Sequence, residues 1–214
     1  MRTIEKGDEP PSLRRHRRGG GTWETYTERD DARHSLLEEQ GHLCCFCMRR
    51  IDLRGMKVAH WASQSAHADA TVRWDNLLGA CQGGNGGPRE HQHCDTAQGD
   101  TPIKVHPASR AQRCERLIRY LPDGGIASHD AEIHQDLDQT LKLNQGPLKA
   151  ARKRILDVLL ARLAQLGGKH TYWPRALLER ELEAWRARDG ERRLRELCQV
   201  AVYLLEKKLH DRND

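Results

Sequence analysis

Residues 42–51 read HLCCFCMRRI, so Cys44, Cys45 and Cys47 place three thiols within four positions. No other feature restricts the fold as strongly. Adjacent Cys44 and Cys45 cannot bridge without severe strain, because a disulfide needs Cβ atoms that face each other at a set separation. Cys44 and Cys47 form a C-x-x-C pair, which serves either as a redox motif or as half of a metal site.

The rest of the chain favours metal. No stretch approaches 18 consecutive apolar residues, so no membrane span is expected. The N-terminal stretch lacks the apolar segment of a secretory leader, which leads to an expectation of a cytoplasmic, reducing setting where disulfides are rare. No strand–helix unit places the C-x-x-C at a helix N-terminus, where a redox thiolate would be stabilised. Cys81 and Cys94 lie further along, with 12 residues between them. With Cys44 and Cys47 they make a candidate tetrahedral structural zinc site, and His91 or His93 could replace one ligand. Cys45, Cys114 and Cys198 are expected to be packed as small apolar residues.

Several elements can be read from pattern. A helix is expected from Glu28 to Gln40, with Thr27 as N-cap and Gly41 as its stop. KVAHW (57–61) has strand character, and RIDLRG before it could turn back as a hairpin. WDNLLGAC (74–81) is a short apolar segment, and the following glycine-rich stretch is a loop. RLIRYLPDGGIAS (116–128) reads as two short strands joined by a Pro-Asp-Gly-Gly turn. From Ala131 the chain is expected to be helical. Its strongest element starts near Asn144 or Gln145, with Pro147 in the first turn, and ends at Gly167-Gly168. Leu148, Ile155, Leu159, Leu163 and Leu166 form its expected apolar stripe. Two more helices are expected over 174–188 and 191–209.

The net charge of +5 is compatible with nucleic acid without requiring it. The densest basic run is Arg14, Arg15, Arg17 and Arg18, followed by three glycines. It is either a flexible arm for phosphate or a solvated tail. The organisation expected is thus a flexible basic segment (1–21), a zinc-stapled unit (22–107) and a mostly helical unit (108–214). The fold class is α+β.

The order C-x-x-C, His60, Asn76, Cys81, Cys94-Asp95 resembles the HNH endonucleases. CCFCMRRI, AHW, WDNLLGAC, HCDTAQGD and HQDLDQTLKLNQGPLKAAR together resemble the HNH subunit of Septu-type anti-phage systems, which also occurs beside retrons. The likeness runs from about residue 36 to residue 154. It implies a ββα-metal fold with His60 as the general base, Asn76 holding the loop that aims it, and Asp95 as ligand of a catalytic Mg2+ or Mn2+. It also implies DNA as substrate and an ABC-type ATPase as partner, with a retron reverse transcriptase and its nucleic acid as a further candidate, and no membrane. A histidine in that role is expected to face a cleft. Two positions depart from the family pattern. Ala59 stands where an acidic ligand is common, and Gln98 where lysine is common. His67, Asp69, Asp75 and His93 are the remaining side chains that could assist a metal. These departures keep a second reading open, a catalytically impaired zinc module that binds DNA or acts as an adaptor.

Overall fold

The computed structural model describes residues 1–168 and 173–211. Among these it is α+β, with eight α-helices and two antiparallel two-stranded sheets. Among the described residues no helix is long and apolar enough to cross a membrane. The buried side chains form one continuous cluster, running from Met1 and Ile4 through the cysteine region to Leu205.

The first 21 residues are not an extended tail. Helix α1 spans Pro11–Arg18 with Leu13 fully buried, and the Ile4 N–H donates to the Pro107 carbonyl at 2.8 Å. The pair Pro10-Pro11 looks like a breaker, yet a proline in the first helical turn loses no hydrogen bond and starts with its φ already set.

Helix α2 (Arg29–Gln40) buries Ala32, Leu36, Leu37 and Gln40 and stops at Gly41 as expected. Its N-cap is Glu28, not Thr27, and no side chain caps it. Strand β1 (Met56–His60) pairs with β2 (Leu77–Cys81), aligning His60 with Leu77 and Met56 with Cys81. The partner of β1 is therefore the LLGAC segment, reached across residues 61–76. RIDLRG does not form its hairpin. Asp52 Oδ1 instead accepts the N–H groups of Arg54 and Gly55 and makes a local turn.

Buried Gln40 fastens α2 to this sheet. Its Nε2 donates to the carbonyls of Leu43 (2.7 Å) and Gly79 (2.8 Å), and its Oε1 accepts the Gly79 N–H (2.7 Å). We expect Gln40→Leu to leave the Gly79 N–H unpaired and lower stability by about 1–3 kcal/mol. Denaturant midpoints of the two proteins check this, and an unchanged midpoint would remove Gln40 from the list of supports.

Short helices α3 (Asp95–Gln98) and α4 (Cys114–Leu117) lead into strands β3 (Ile118–Tyr120) and β4 (Ile126–Ser128), an antiparallel pair across the expected turn. Gly124 lies in that turn with φ +82, and a Cβ there would sit 2.0 Å from the Lys149 carbonyl oxygen. Helix α5 begins at Ala131, with Asp130 Oδ1 accepting the N–H groups of Glu132 and Ile133. Asn144 does not cap the next helix. Its side-chain amide pairs with both backbone groups of Ile126, extending β4 as a strand would.

Helix α6 (Gly146–Gly167) buries Leu148, Arg152, Leu156, Leu159 and Leu163. The stripe is thus rotated from the expected one, with Ile155 only partly covered and Leu166 47% exposed. A reading that counts apolar residues alone passes over Arg152, the side chain that sets the buried face. Helix α7 (Arg175–Arg186) packs against α8 (Cys198–His210). Residues 191–197 are not helical as expected. Leu197 has φ +56, Leu194 N–H donates to the Gly41 carbonyl and Leu197 N–H to the Met48 carbonyl. Those bonds tie the segment to the cysteine turn rather than to a helix of its own.

Candidate metal centre and the adjoining histidine

Cys44 and Cys47 sit in a tight turn just before β1. Met48 N–H donates to the Cys44 carbonyl at 3.0 Å, Cys44 N–H to the Arg49 carbonyl at 2.9 Å, and Met48 takes φ +63. Cys81 ends β2 and Cys94 immediately precedes α3. Gly83 closes the chain between them. Its carbonyl accepts the His93 N–H at 2.9 Å, and a Cβ on it would lie 2.2 Å from the His93 carbonyl oxygen. Cys94 is held from the other side, its N–H donating to the Leu141 carbonyl at 2.9 Å.

The four sulfurs converge, all within 4.8 Å of one another. Cys44 to Cys94 is 3.9 Å and Cys47 to Cys81 is 3.8 Å, and all seven cysteines are free thiols. A tetrahedron with metal–sulfur bonds of about 2.3 Å has edges of roughly 3.8 Å. The cluster could therefore hold a metal ion, and the spacing fits a tetrahedral thiolate site. Cys45, next in sequence, is buried outside the cluster. His93 does not replace a ligand. Its Nδ1 lies 3.1 Å from Cys94 Sγ, where it can orient that sulfur.

The clustered thiols differ in acidity because they share protons. Burial opposes ionisation of Cys44, yet hydrogen bonds from the neighbouring thiols draw its pKa well below the ordinary value. Burial, then hydrogen bonding with Cys44, pushes Cys94 well up, and the Cys44 contact does the same to Cys47. Protons shared this way are what a divalent ion displaces when it binds, since the thiolate is the ligand form.

His60 ends β1 and is 7% exposed. It does not open onto a cleft, because Trp23 packs edge-on against it with ring centroids 5.4 Å apart. Its Nε2 lies 3.0 Å from the Thr71 carbonyl. A carbonyl only accepts, so Nε2 carries the proton and Nδ1 keeps the lone pair. Burial lowers the imidazole pKa, against the hydrogen bond to Thr71 and the charge of Asp95, both of which raise it.

Asn76 closes the loop around this histidine. Its Oδ1 accepts the Ala62 N–H (2.7 Å), while Nδ2 donates to the carbonyls of Ala62 (3.1 Å) and Ala70 (3.0 Å). Asp95 opens α3, and its Oδ2 sits 2.7 Å from Lys57 Nζ, which also donates to Thr96 Oγ1. Ala59 is packed in β1 opposite Leu78. Gln98 is buried beside Trp61, with its Oε1 unpartnered.

One carboxylate, already holding a lysine ammonium, is a poor donor set for Mg2+ or Mn2+, which are bound through several oxygen ligands. His67 and Asp69 are exposed, and Asp75 pairs with Arg73 at 2.6 Å. The basic run lies on α1, not in a flexible arm. Arg14 and Arg17 pair with Glu9 and Arg15 with Glu28, so its charge is partly neutralised within the chain. Lys57, Thr71 and Trp23 are the site residues that pattern reading missed. Lys57 was within reach, since it lies two positions before Ala59 and strand alternation puts both on one face.

No protein-family model matches the chain, and no curated protein matches it.

Proposed function

We propose that this chain is an endonuclease of the HNH type that hydrolyses phosphodiester bonds, with DNA as substrate. The observation that carries the proposal is the setting of His60. Its Nε2–H is fixed on the Thr71 carbonyl, its loop is clamped by Asn76, and Asp95 lies close enough for its charge to act on the imidazole. The strand–strand–helix order of β1, β2 and α3 around that histidine supports the same reading. Zinc on Cys44, Cys47, Cys81 and Cys94 is the structural metal proposed, since four thiolates in a tetrahedron are a closed site without room for substrate.

In this reading Nδ1 of His60 takes the proton from the attacking water as its oxygen bonds to phosphorus, while the ester P–O bond on the opposite side breaks and the leaving sugar oxygen takes a proton from solvent. Lys57 holds Asp95, the carboxylate whose charge acts on that base. A Mg2+ or Mn2+ requirement follows from the resemblance alone. The partner proposed is an ABC-type ATPase that controls cleavage in an anti-phage complex.

A second reading, a DNA-binding or adaptor module without catalysis, is favoured by the Lys57 ammonium on Asp95 and by Trp23 on His60. Incubation of the purified chain with plasmid DNA and Mg2+ or Mn2+, with and without the ATPase and then EDTA, separates the two. Nicked or linear product supports the nuclease. Retarded but intact DNA under all conditions supports the binding module.

The acidity of His60 fixes a pH dependence. Its pKa lies below the ordinary 6.5, so the neutral base predominates at pH 7. The acid limb of the rate profile is expected below pH 6.5. The folded state binds fewer protons than the unfolded chain there, so this histidine's stabilising effect is present above 6.5 and fades as pH falls. A pH–rate series with parallel melting curves checks both. A limb centred above 6.5 would contradict a base held in this environment.

A further inference from the structure

Arg152 is among the largest fully enclosed side chains of the molecule, 2% exposed on the buried face of α6. Its Nε donates to the Gly124 carbonyl at 2.6 Å and an Nη to the Leu143 carbonyl at 2.7 Å. Carbonyl dipoles satisfy donors, but they do not neutralise a charge. Among the described residues no carboxylate pairs with this guanidinium, and Asp123 pairs with Lys149 at the surface instead. A buried cation with no anion is a costly arrangement, so an anion is to be looked for.

The groups whose negative charge would act on Arg152 include Tyr120, Cys47, Cys94 and Asp123. Tyr120 is kept neutral, because burial pushes its hydroxyl far up. Asp123 is exposed and paired with Lys149, so the buried groups that remain are Cys47 and Cys94, two of the four clustered thiols. A divalent ion on four thiolates has a net charge of two minus four, or −2, and would be a largely buried anion. The backbone also joins the two sites. The Leu143 carbonyl held by Arg152 lies two residues from Leu141, whose carbonyl fixes the Cys94 N–H.

We propose that Arg152 is the buried counter-ion of the metal–tetrathiolate centre and the positioning residue through which α6 supports it. The inference rests on the four cysteines being a metal site. The charge on each is unfavourable alone, and each removes part of the other's cost. The metal centre and the helical half of the chain are then one electrostatic unit.

The test is zinc competition against a chromophoric chelator with the full-length protein, its Arg152→Met and Arg152→Lys variants, and a Cys81→His background. Wild type should hold zinc. Arg152→Met should weaken its affinity about 10- to 100-fold, the range typical of residues that support metal ligands. Cys81→His lowers the charge of the centre to −1, so the same arginine substitution should cost less there. Equal losses in both backgrounds, or none in either, would overturn the counter-ion role. If Arg152→Met does not fold, Arg152→Lys decides: affinity within about tenfold of wild type supports the charge argument, and a larger loss refutes it. A wild-type chain that holds no metal overturns the metal reading itself, and this inference with it.

Discussion

Cys47→Ser is expected to strip the chain of its metal and unfold the region around β1 and β2. The turn that carries Cys47 belongs to no helix or strand and is held by a few backbone hydrogen bonds. Met48 takes a left-handed backbone conformation that a non-glycine residue adopts only when its surroundings enforce it. Strands β1 and β2 have five residues each and pair only with one another. A two-stranded pair is marginal in water on its own, and beyond the support of α2 through Gln40, a metal joining Cys44 and Cys47 to Cys81 and Cys94 would supply much of its stability. Structural zinc sites contribute an apparent binding free energy of about 10–16 kcal/mol near pH 7, far more than any other single interaction in this region. Elemental analysis should find about one zinc per wild-type chain, the number one four-ligand site takes. The variant should contain none and lose its cooperative melting transition. Serine is nearly the same size as cysteine, so a packing defect would not explain such a loss. A metal-free wild-type protein that melts normally would refute the site.

What the sequence disclosed followed from how local each signal was. The cysteines stood out because metal binding demands particular residue types at particular spacings, and Cys44, Cys47, Cys81 and Cys94 do converge. The β3–β4 pair was legible because Pro-Asp-Gly-Gly specifies its own turn. The partner of β1 was not, since pairing across residues 61–76 is settled by the loop that Asn76 clamps and by Gln40 on Gly79, both long-range. The break at Leu197 was hidden for the same reason. It is imposed by hydrogen bonds to Gly41 and Met48, some 150 residues earlier in the chain. Helix α1 was obscured by prolines that act as starters, and the buried face of α6 by a charged residue at its centre. At the histidine site, residue types and order were visible. The cover over His60 and the lysine on Asp95 were not, because both depend on neighbours that no motif specifies.

His60 carries the second large effect, and its burial changes which variant is informative. His60→Ala should lower any cleavage rate by roughly 10²-fold to 10⁴-fold, the usual contribution of a general base. It should also destabilise the fold, because it leaves the Thr71 carbonyl unpaired and a void under Trp23, at a cost of about 1–3 kcal/mol. A slower alanine variant is therefore ambiguous, since a purely structural histidine would produce the same loss by unfolding. His60→Gln separates the two roles. A glutamine amide can donate to the Thr71 carbonyl as Nε2 does, yet it has no basic nitrogen to accept a proton. If His60 is the base, the glutamine variant should keep its melting temperature close to wild type and still lose at least about 10²-fold in rate. If the histidine only supports the loop, glutamine should restore cleavage along with stability. Measuring wild type and both variants at one pH well above 6.5, where the wild-type imidazole is mostly neutral, limits protonation as a further difference. Full cleavage by a folded His60→Gln protein would exclude His60 as the base and shift the balance to the DNA-binding reading of this site.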